Sequence, residues 1–379
     1  MSYSVPYFKD LVSTYPSFEA LKGHLESNQL RVISDASNQY TIIRYDKTKY
    51  PTTIQNESKG FLRSVVWDTV TNRPVCVAPP KAREALPEDA ASLRCEEFLE
   101  GVMVNAFLDS SGTVQLATRS KLGATGTFYS SRSFQDLFED ALRAKGIEGI
   151  QGIKGVLGTA SFASFLLQHP EHRIVSRITE PQVYLIHTGS VDADGLVHVQ
   201  EVSSDSTLAV PLITLSEEPN AAIIHLAEQR GWQWQGLVLK DGQGGRWRLR
   251  SKAYTMVRTL RGESPRQDVQ YLKLREKGMM ETYLYYYPEE KQTMWNFEGR
   301  LRGLTQVLYQ FYVSVHIKHQ LKFADLPAQW KTHVFSLHSL FLGSLKEKGH
   351  FIRKQEVIQY VNSLQIPRIL HLFKSENAI

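Results

Sequence analysis

The chain has 379 residues, with 44 Lys plus Arg against 39 Asp plus Glu, and 42% of its residues are hydrophobic. This composition is that of a folded chain, so it excludes wholesale disorder and a collagen-like fibre. The length predicts one large domain or two. Cys76 and Cys95 are too few for a disulfide framework and do not form a CxxC pair, which disfavours structural zinc and favours a reducing compartment.

The N-terminal ten residues lack the basic start and apolar run of a signal peptide. No segment approaches the ~18 consecutive apolar residues that a membrane helix needs. We therefore expect a soluble protein with no membrane partner, located in the cytoplasm.

Short strands dominate the sequence after one N-terminal helix. Ser17 is a predicted N-cap for a helix in which Phe18, Leu21 and Leu25 recur at helical spacing. Short apolar or alternating runs, separated by turn residues, then predict strands at 30–33, 40–45, 61–67, 75–77, 102–108 and 114–118. A helix is predicted over 133–145, followed by strands at 173–176, 182–187 and 208–213 and a helix at 220–229.

The strongest local signal is a β-hairpin near residue 240. Gly236–Lys240 and Arg246–Arg250 are alternating runs, and the Asp-Gly pair between them favours a tight turn. Beyond about residue 261 the β signals fade, and 295–317, 333–345 and 354–364 predict amphipathic helices. We therefore expect an α+β domain over 1–257 and an all-helical domain over 258–379.

The predicted helical domain carries the basic excess of the chain. From Arg261 onward there are 17 Lys plus Arg against 11 Asp plus Glu. Such an excess is compatible with a nucleic-acid partner, although half-exposed helices rich in Lys and Arg also occur in proteins that bind none.

The hairpin's second strand, with the sequence RWRLR at 246–250, alternates basic and apolar residues. On a strand its three arginines share one face, where they repel one another unless anions pair with them. Phosphate or a group of carboxylates is therefore expected opposite, with a solvated basic face as the alternative. Lys252, Arg258 and Arg261 follow this strand and extend the basic run.

Taken in order, several segments resemble the ATP-dependent RNA ligases of the phage RNA ligase 1 family, which are covalent nucleotidyltransferases, and related uncharacterised proteins of large DNA viruses. FLRSVVW at 61–67 resembles the family's upstream arginine strand, and VAPPK at 77–81 occupies the place of its upstream lysine. FLEG at 98–101 lies where the nucleophile motif Lys-x-Asp-Gly belongs, and TRS at 118–120 matches a basic position. QGLV at 235–238 resembles motif IV, and Arg248 and Arg250 fall on the two motif V lysines.

The resemblance implies a nucleotidyltransferase domain with ATP-grasp-like antiparallel sheets, acting on nucleotides and RNA ends in RNA ligation or repair. If the protein is active, it also implies ATP and Mg²⁺ or Mn²⁺ as cofactors. The residues that it assigns to nucleotide and phosphate binding are Arg63, Lys81, Phe98, Gly101, Arg119, Gln235, Arg248 and Arg250. It assigns RNA contacts to Arg246, Lys252, Arg258 and Arg261. The viral relatives also imply the host cytoplasm or a virus-associated location.

The departures from the family pattern bear directly on catalysis. Covalent catalysis needs a lysine amine to attack the α-phosphate of ATP, and Phe98 supplies none. The motif III glutamate is Leu166 and the motif IV glutamate is Gln235, so the carboxylates that serve the ribose and the metal are missing.

Three hypotheses remain open from the sequence. The fold could be kept as a non-catalytic RNA or nucleotide binder. Lys81 could instead serve as a displaced nucleophile, with Lys121 and Lys252 as weaker candidates. Glu97 and Glu100 would then be the carboxylates left to bind a metal ion, with Lys81 and Glu100 as the catalytic pair. A third hypothesis is a protein-interaction module that uses the aromatic residues between 283 and 312, although core packing is the favoured interpretation of their helical spacing.

Overall fold

The computed structural model describes residues 1–34, 39–46 and 60–375. The strands are β1 (Ser2–Val5), β2 (Leu30–Ser34), β3 (Tyr40–Tyr45), β4 (Val65–Asp68), β5 (Arg73–Val77), β6 (Arg94–Glu97), β7 (Val102–Leu108), β8 (Val114–Thr118), β9 (Phe162–Gln168), β10 (Gln182–Val191), β11 (Val197–Glu201), β12 (Gly236–Lys240) and β13 (Arg246–Arg250). The helices are α1 (Tyr7–Thr14), α2 (Phe18–Ser27), α3 (Phe134–Ala144), α4 (Ile153–Leu157), α5 (Pro219–Arg230), α6 (Lys252–Arg261), α7 (Gln267–Glu276), α8 (Met280–Tyr286), α9 (Lys291–Tyr312), α10 (Ala328–Leu340), α11 (Lys354–Ser363) and α12 (Ile366–Ser375).

Three antiparallel sheets carry the strands. The orders are β1-β11-β10-β9-β7-β8 in a six-stranded sheet, β13-β12-β6 in a three-stranded sheet and β2-β3-β4-β5 in a four-stranded sheet. The sheets are antiparallel, with helices between some of the strands and a run of helices after β13, and the fold class is α+β as predicted.

The described residues form two compact units, Met1–Arg258 and Thr259–Ile379. In the first unit α1 and α2 share an apolar core with the four-stranded sheet, and α3 and α4 share one with the six-stranded sheet. A third, smaller core lies between the three-stranded sheet and α5 and contains Trp234 and Trp247. These cores fix the strands from which the basic side chains project.

Several predicted elements are confirmed with nearly the expected bounds. The hairpin forms with the register Gly236↔Arg250 through Lys240↔Arg246. Asp241 closes its turn, since the Asp241 Oδ1 atom accepts hydrogen bonds from the backbone N–H groups of Gln243 at 2.8 Å and Gly245 at 2.6 Å. Ser17 caps α2, and α3 lies within the predicted 133–145.

Three strand predictions were wrong in whole or part. The run 61–67 becomes a strand only at Val65, so Arg63 lies on the preceding turn. The run 173–176 is irregular because the backbone N–H groups of Val175 and Ser176 donate to a buried carboxylate, that of Glu100, instead of a neighbouring strand. Pro211 interrupts 208–213, which pairs with β6 only through an isolated bridge at Leu212.

The second unit is helical among its described residues, as expected. The sequence analysis predicted α9, α10 and α11 but missed α7, α8 and α12. Both α9 and α10 continue into a π-helical turn. Tyr283, Tyr287 and Tyr312 are buried, so core packing explains them, whereas Tyr285 and Trp295 are exposed.

No helix among the described residues is long and apolar enough to span a membrane. Cys76 and Cys95 are buried free thiols.

Candidate phosphate-binding site

Strand β13 presents three arginines on one side and packs its other side into a core. Trp247 is buried beside Leu237 and Leu239. Because side chains alternate along a strand, Arg246, Arg248 and Arg250 point the opposite way. The sequence pattern therefore folds as a basic strand face anchored by an apolar one.

The loop after β5 runs beside β13 and brings Lys81 to the same face. The Arg83 N–H donates to the Arg246 carbonyl at 2.9 Å, and the Arg248 N–H donates to the Arg83 carbonyl at 2.9 Å. One residue further on, Glu84 forms an ion pair with Arg248 at 2.5 Å. Burial lowers the pKa of the Lys81 amine, and the positive charge of Arg248 lowers it further.

Arg63 lies among the other arginines although it comes from a turn. Burial lowers the pKa of the Arg63 guanidinium to about 10, and the positive charges of Arg246, Arg119 and Arg248 add to the effect. A guanidinium stays protonated in proteins, so the lowered pKa reflects the free-energy cost of holding these like charges together.

Arg119 joins the group from the end of β8. Its terminal nitrogen donates to the Tyr45 carbonyl at 2.8 Å, and its guanidinium lies 5.0 Å from the centre of the Tyr45 ring. The Arg119 Nε atom is buried without a hydrogen-bond partner among the described residues. We call this group the cation cluster, and its members are Arg63, Lys81, Arg119, Arg246, Arg248 and Arg250.

Phe98 occupies the position expected for the nucleophile, next to the cluster. The Phe98 N–H donates to the Gly236 carbonyl at 2.9 Å, which ties this segment to β12. The Arg250 guanidinium lies 5.2 Å from the centre of the Phe98 ring. Burial lowers the pKa of Arg250 to about 10, and the charges of Arg258 and Arg248 contribute. The position thus holds an aromatic platform covered by a cation.

Two residues from the predicted site have structural contacts instead. The Glu100 carboxylate is buried and accepts hydrogen bonds from the Val175 N–H at 3.0 Å, the Ser176 N–H at 3.0 Å and the Tyr254 hydroxyl at 2.9 Å. Gly101, with φ +154°, lies against β9, where an added Cβ would come within 2.4 Å of the Leu167 carbonyl oxygen. Glu100 is therefore not free to bind a metal, and the close approach at Gly101 is to a strand rather than to a ligand.

Gln235 is buried at the start of β12. Its backbone carbonyl accepts a hydrogen bond from the Ser251 N–H at 2.9 Å. Its side-chain Oε1 atom has no hydrogen-bond partner among the described residues. This oxygen is an acceptor that a ligand N–H or O–H group would satisfy.

Of the four residues predicted to contact RNA, three lie near the cation cluster or at the surface and one is buried in the second unit. Arg246 belongs to the cation cluster, and the charge of Arg258 acts on Arg250. Lys252 is exposed at the start of α6. The prediction that Arg261 contacts RNA was wrong, since Arg261 is buried and donates to Glu290 at 2.8 Å and to the Tyr283 hydroxyl at 2.6 Å.

The donor set fits a polyphosphate and does not fit a protein-held Mg²⁺. Within residues 1–34, 39–46 and 60–375 no three His, Cys, Asp or Glu side chains come together as a metal site. The nearby carboxylates are engaged, since Glu84 pairs with Arg248, Glu97 with Arg230 at 3.2 Å, Glu96 and Glu201 with Lys240, and Glu100 with backbone donors. Guanidinium groups with unused N–H donors are what phosphate oxygens require.

Sequence reasoning missed Arg44 on β3, although a lone arginine within the apolar run TIIRY was a usable signal. The Arg44 Nε atom is buried without a described partner. It also missed a buried network on the same sheet face as the arginines, where the Lys240 amine, opposite Arg246, lies 2.9 Å from Glu96 and 2.7 Å from Glu201.

Comparison with known proteins gives distant structural matches. No protein-family model matches the sequence, and no curated protein matches it. A predicted ATP-dependent DNA ligase from Aquifex aeolicus is 12% identical at a TM-score of 0.39, with 86% of this chain and 81% of that chain covered. Form 2 of an archaeal ATP-dependent RNA ligase is 12% identical at a TM-score of 0.39, with 80% and 83% covered. Form 1 is 12% identical at a TM-score of 0.37, with 78% of each chain covered. Because these likenesses are distant, we argue the function from the residues themselves.

Proposed function

We propose that the chain is a ligase-like nucleotidyltransferase-fold protein that binds the polyphosphate of a nucleotide and the phosphorylated end of an RNA. The observation that carries the proposal is the uncompensated charge of the cation cluster. Among the described residues, the ion pair of Arg248 with Glu84 is the one such pair that any cluster member makes. A polyanion is the partner that this surface lacks.

Electrostatics supports a ligand with several phosphate oxygens. Two unit charges 4 Å apart interact by about 1 kcal/mol in water and by about 4 kcal/mol near a protein surface. Six cations beside one engaged carboxylate therefore repel one another in the free protein. The unused Nε donors of Arg119 and Arg250 lie in this surface, and a planar guanidinium suits two-point binding of phosphate.

The residues around the cluster suggest how a nucleotide is oriented. In the proposal, Phe98 and Gln235 face the nucleoside, since one offers an aromatic surface and the other an unused amide oxygen. Arg63, Lys81, Arg119, Arg248 and Arg250 hold the phosphates. Arg246, Lys252 and Arg258 extend the positive surface toward an RNA strand.

Adenylyl transfer is a second candidate function, and the position of Lys81 favours it. A lysine is activated as a nucleophile when burial and nearby cations lower its pKa, which is the situation of Lys81. In that reaction the neutral Lys81 Nζ attacks the α-phosphorus of ATP and a P–N bond forms. The bond from the α-phosphorus to the bridging oxygen breaks, pyrophosphate leaves, and the amine proton passes to water.

Labelling tests both functions in one experiment. Purified protein is incubated with ATP or GTP labelled at the α-phosphate, with Mg²⁺ or Mn²⁺, and is separated by denaturing electrophoresis before the labelled residue is mapped. If Lys81 is the nucleophile, we expect the label on Lys81 and its loss in Lys81→Ala. The exposed Lys145→Ala is the matched control and should retain the wild-type label.

Three results of this experiment have distinct meanings. Label retained in Lys81→Ala excludes Lys81 as the nucleophile. Absence of label with ATP and RNA binding preserved supports a binding module. Absence of both binding and label rejects the proposed function and favours a protein-interaction role. Salt dependence separates these outcomes further, because phosphate contacts release counterions.

A further inference from the structure

We propose that a second phosphate subsite lies on the four-stranded sheet, where Arg44, beside the cluster member Arg119, binds the backbone of an RNA strand whose end occupies the cation cluster. The inference rests on the proposed function, because the same strand would contact both places. The observation behind it is that Arg44 and Arg119 each bury a guanidinium Nε atom that has no hydrogen-bond partner among the described residues. We call this place the Arg44 subsite.

The pairing of β2 with β3 leaves Arg44 with an uncompensated charge. Arg31 lies directly opposite Arg44 in the register, and like charges in that relation destabilise a sheet. The Arg31 Nε atom donates to Asp46 at 2.8 Å, so Arg31 has a carboxylate partner. No carboxylate in the described part of the chain forms an ion pair with Arg44. Burial lowers the pKa of Arg44, the charge of Arg31 lowers it further, and Asp46 offsets only part of the effect.

Arg119 connects the Arg44 subsite to the cation cluster. After burial and the opposing effect of Tyr45, the charge of Arg44 is the next influence on Arg119, and it lowers the Arg119 pKa. Arg119 in turn lowers the pKa of Arg63 inside the cluster. The contact of Arg119 with the Tyr45 carbonyl and ring fixes it between the two places. The positive charge of the cluster therefore extends through Arg119 to Arg44 on the four-stranded sheet. Among the described residues, Arg119 forms no ion pair that would neutralise it.

The ligand that fits this arrangement is a polynucleotide rather than a single nucleotide. The phosphates of one nucleotide are concentrated in one place, and the cation cluster supplies donors for them. Arg44 lies beside the cluster, so a phosphate that binds it must be separate from those in the cluster. An RNA strand carries such a phosphate at each further nucleotide. Single-stranded RNA is the class that the proposed function supplies.

The test compares ATP with a 5′-phosphorylated RNA of about 12 nucleotides, a length within the roughly 4–16 nucleotides that compact single-strand sites cover. Affinity for each is measured by competition in fluorescence anisotropy across a salt series. For the wild type we expect a steeper salt slope with the RNA than with ATP. Each phosphate contact with a single strand contributes about 0.7 to the slope.

Arg44→Gln isolates the subsite. We expect its salt slope with the RNA to fall by about 0.7, with an affinity loss of several-fold at low salt and ATP binding unchanged. Arg44→Lys keeps the charge and should retain most of the slope. Arg143→Gln is the matched control, since Arg143 is an exposed arginine on α3 whose described ion-pair partner is Asp140, outside the cluster.

The thermal midpoint of Arg44→Gln is a second readout, because a binding role and a purely structural role of Arg44 predict opposite changes in it. Because Arg44 is opposed by Arg31 and has no ion-pair partner in the described part of the chain, removing its charge should leave the thermal midpoint of the free protein unchanged or raise it. A lowered midpoint together with unchanged RNA affinity would mean that Arg44 only supports the sheet.

The proposal is overturned by an RNA affinity and slope in Arg44→Gln that equal those of the wild type. If Arg44→Gln does not fold, the wild type alone decides, since equal salt slopes for ATP and RNA leave no second contact. Failure of the wild type to bind ATP or the RNA end is a different result, because it rejects the proposed function itself.

Discussion

His187 shows how a single side chain near the site makes stability depend on pH. It is buried on β10, and its Nε2 atom lies 3.1 Å from the Val77 carbonyl oxygen. Burial lowers its pKa from 6.5 to about 3, and the charges of Lys240 and Arg246 add to the effect. The folded protein therefore holds His187 neutral, with Nε2–H donating to Val77.

We predict that His187 makes the first unit lose stability as the pH falls from about 6.5 toward 3. In this range the unfolded chain binds a proton at His187 and the folded chain does not, so the free energy of unfolding decreases. The full effect is on the order of 5 kcal/mol at the acid end. Urea unfolding at several pH values should show a shallower pH dependence in His187→Gln. His198→Gln, at a half-exposed histidine on β11, is the control, and an unchanged pH dependence in His187→Gln contradicts the prediction.

The hairpin of β12 and β13 is the element that positions half of the cation cluster. Gly236, directly opposite Arg250, has a φ of +140°. A Cβ built there would lie 2.1 Å from the Leu249 carbonyl oxygen, a distance that no relaxed side chain tolerates. The glycine is therefore required by the close approach of the two strands, and it determines where Arg250 points.

We predict that Gly236→Ala destabilises the protein by about 2–4 kcal/mol and weakens nucleotide binding through Arg250. Gly242, in the turn of the same hairpin, has no neighbour within 4 Å of an added Cβ, so Gly242→Ala should change neither property by much. Urea unfolding and ATP titration measure the two effects. Equal stability of the two variants would show that the strands can separate without cost.

Elements with local signals were predictable, and contacts between distant segments were not. The hairpin follows from an Asp-Gly turn between two alternating runs, all within fifteen residues. Glu100 looked like a site carboxylate because its role depends on Val175 and Ser176, which lie 75 and 76 positions away. Arg63 was expected on a strand, since FLRSVVW has a strand-like composition, but the strand begins only at Val65.

The same limit applies to the candidate site. The sequence pattern identified the arginine face of β13, because alternation alone determines which residues share a face. It did not identify Arg44, whose relation to Arg119 depends on how two sheets are arranged. The convergence of Arg63, Lys81 and Arg119 on β13 was expected from the family resemblance, and their mutual charge effects are consistent with it.

At the scale of the whole molecule, the first unit retains charges that its fold does not neutralise. Natural chains tolerate such a cost where a ligand offsets it, and stability is then gained when the ligand binds. The buried ion pairs of Lys240 with Glu96 and Glu201 show that this fold does supply carboxylates to a buried cation, directly opposite Arg246 on the same sheet face. The lack of described ion pairs around Arg63 and Arg250 is therefore a feature of the site.

We predict that ATP and inorganic tripolyphosphate both raise the thermal midpoint of the protein, and that the rise shrinks as salt is added. A ligand at 100 times its Kd stabilises a folded protein by about 2.7 kcal/mol. The double variant Arg248→Glu with Arg250→Glu should lose the rise, because the anion then meets negative charge. In the same variant the salt slope of RNA binding should fall by about 0.7 per lost phosphate contact.

The control for this prediction replaces an exposed arginine with the same reversal of charge. Arg302 on α9 is 80% exposed in its side chain and pairs with Glu298 within its own helix, so Arg302→Glu should keep the tripolyphosphate effect. A similar loss in both variants would indicate a general effect of net charge rather than a site. No rise for the wild type at low salt would mean that the cation cluster binds no polyanion. The proposed function, which depends on that binding, would then be rejected.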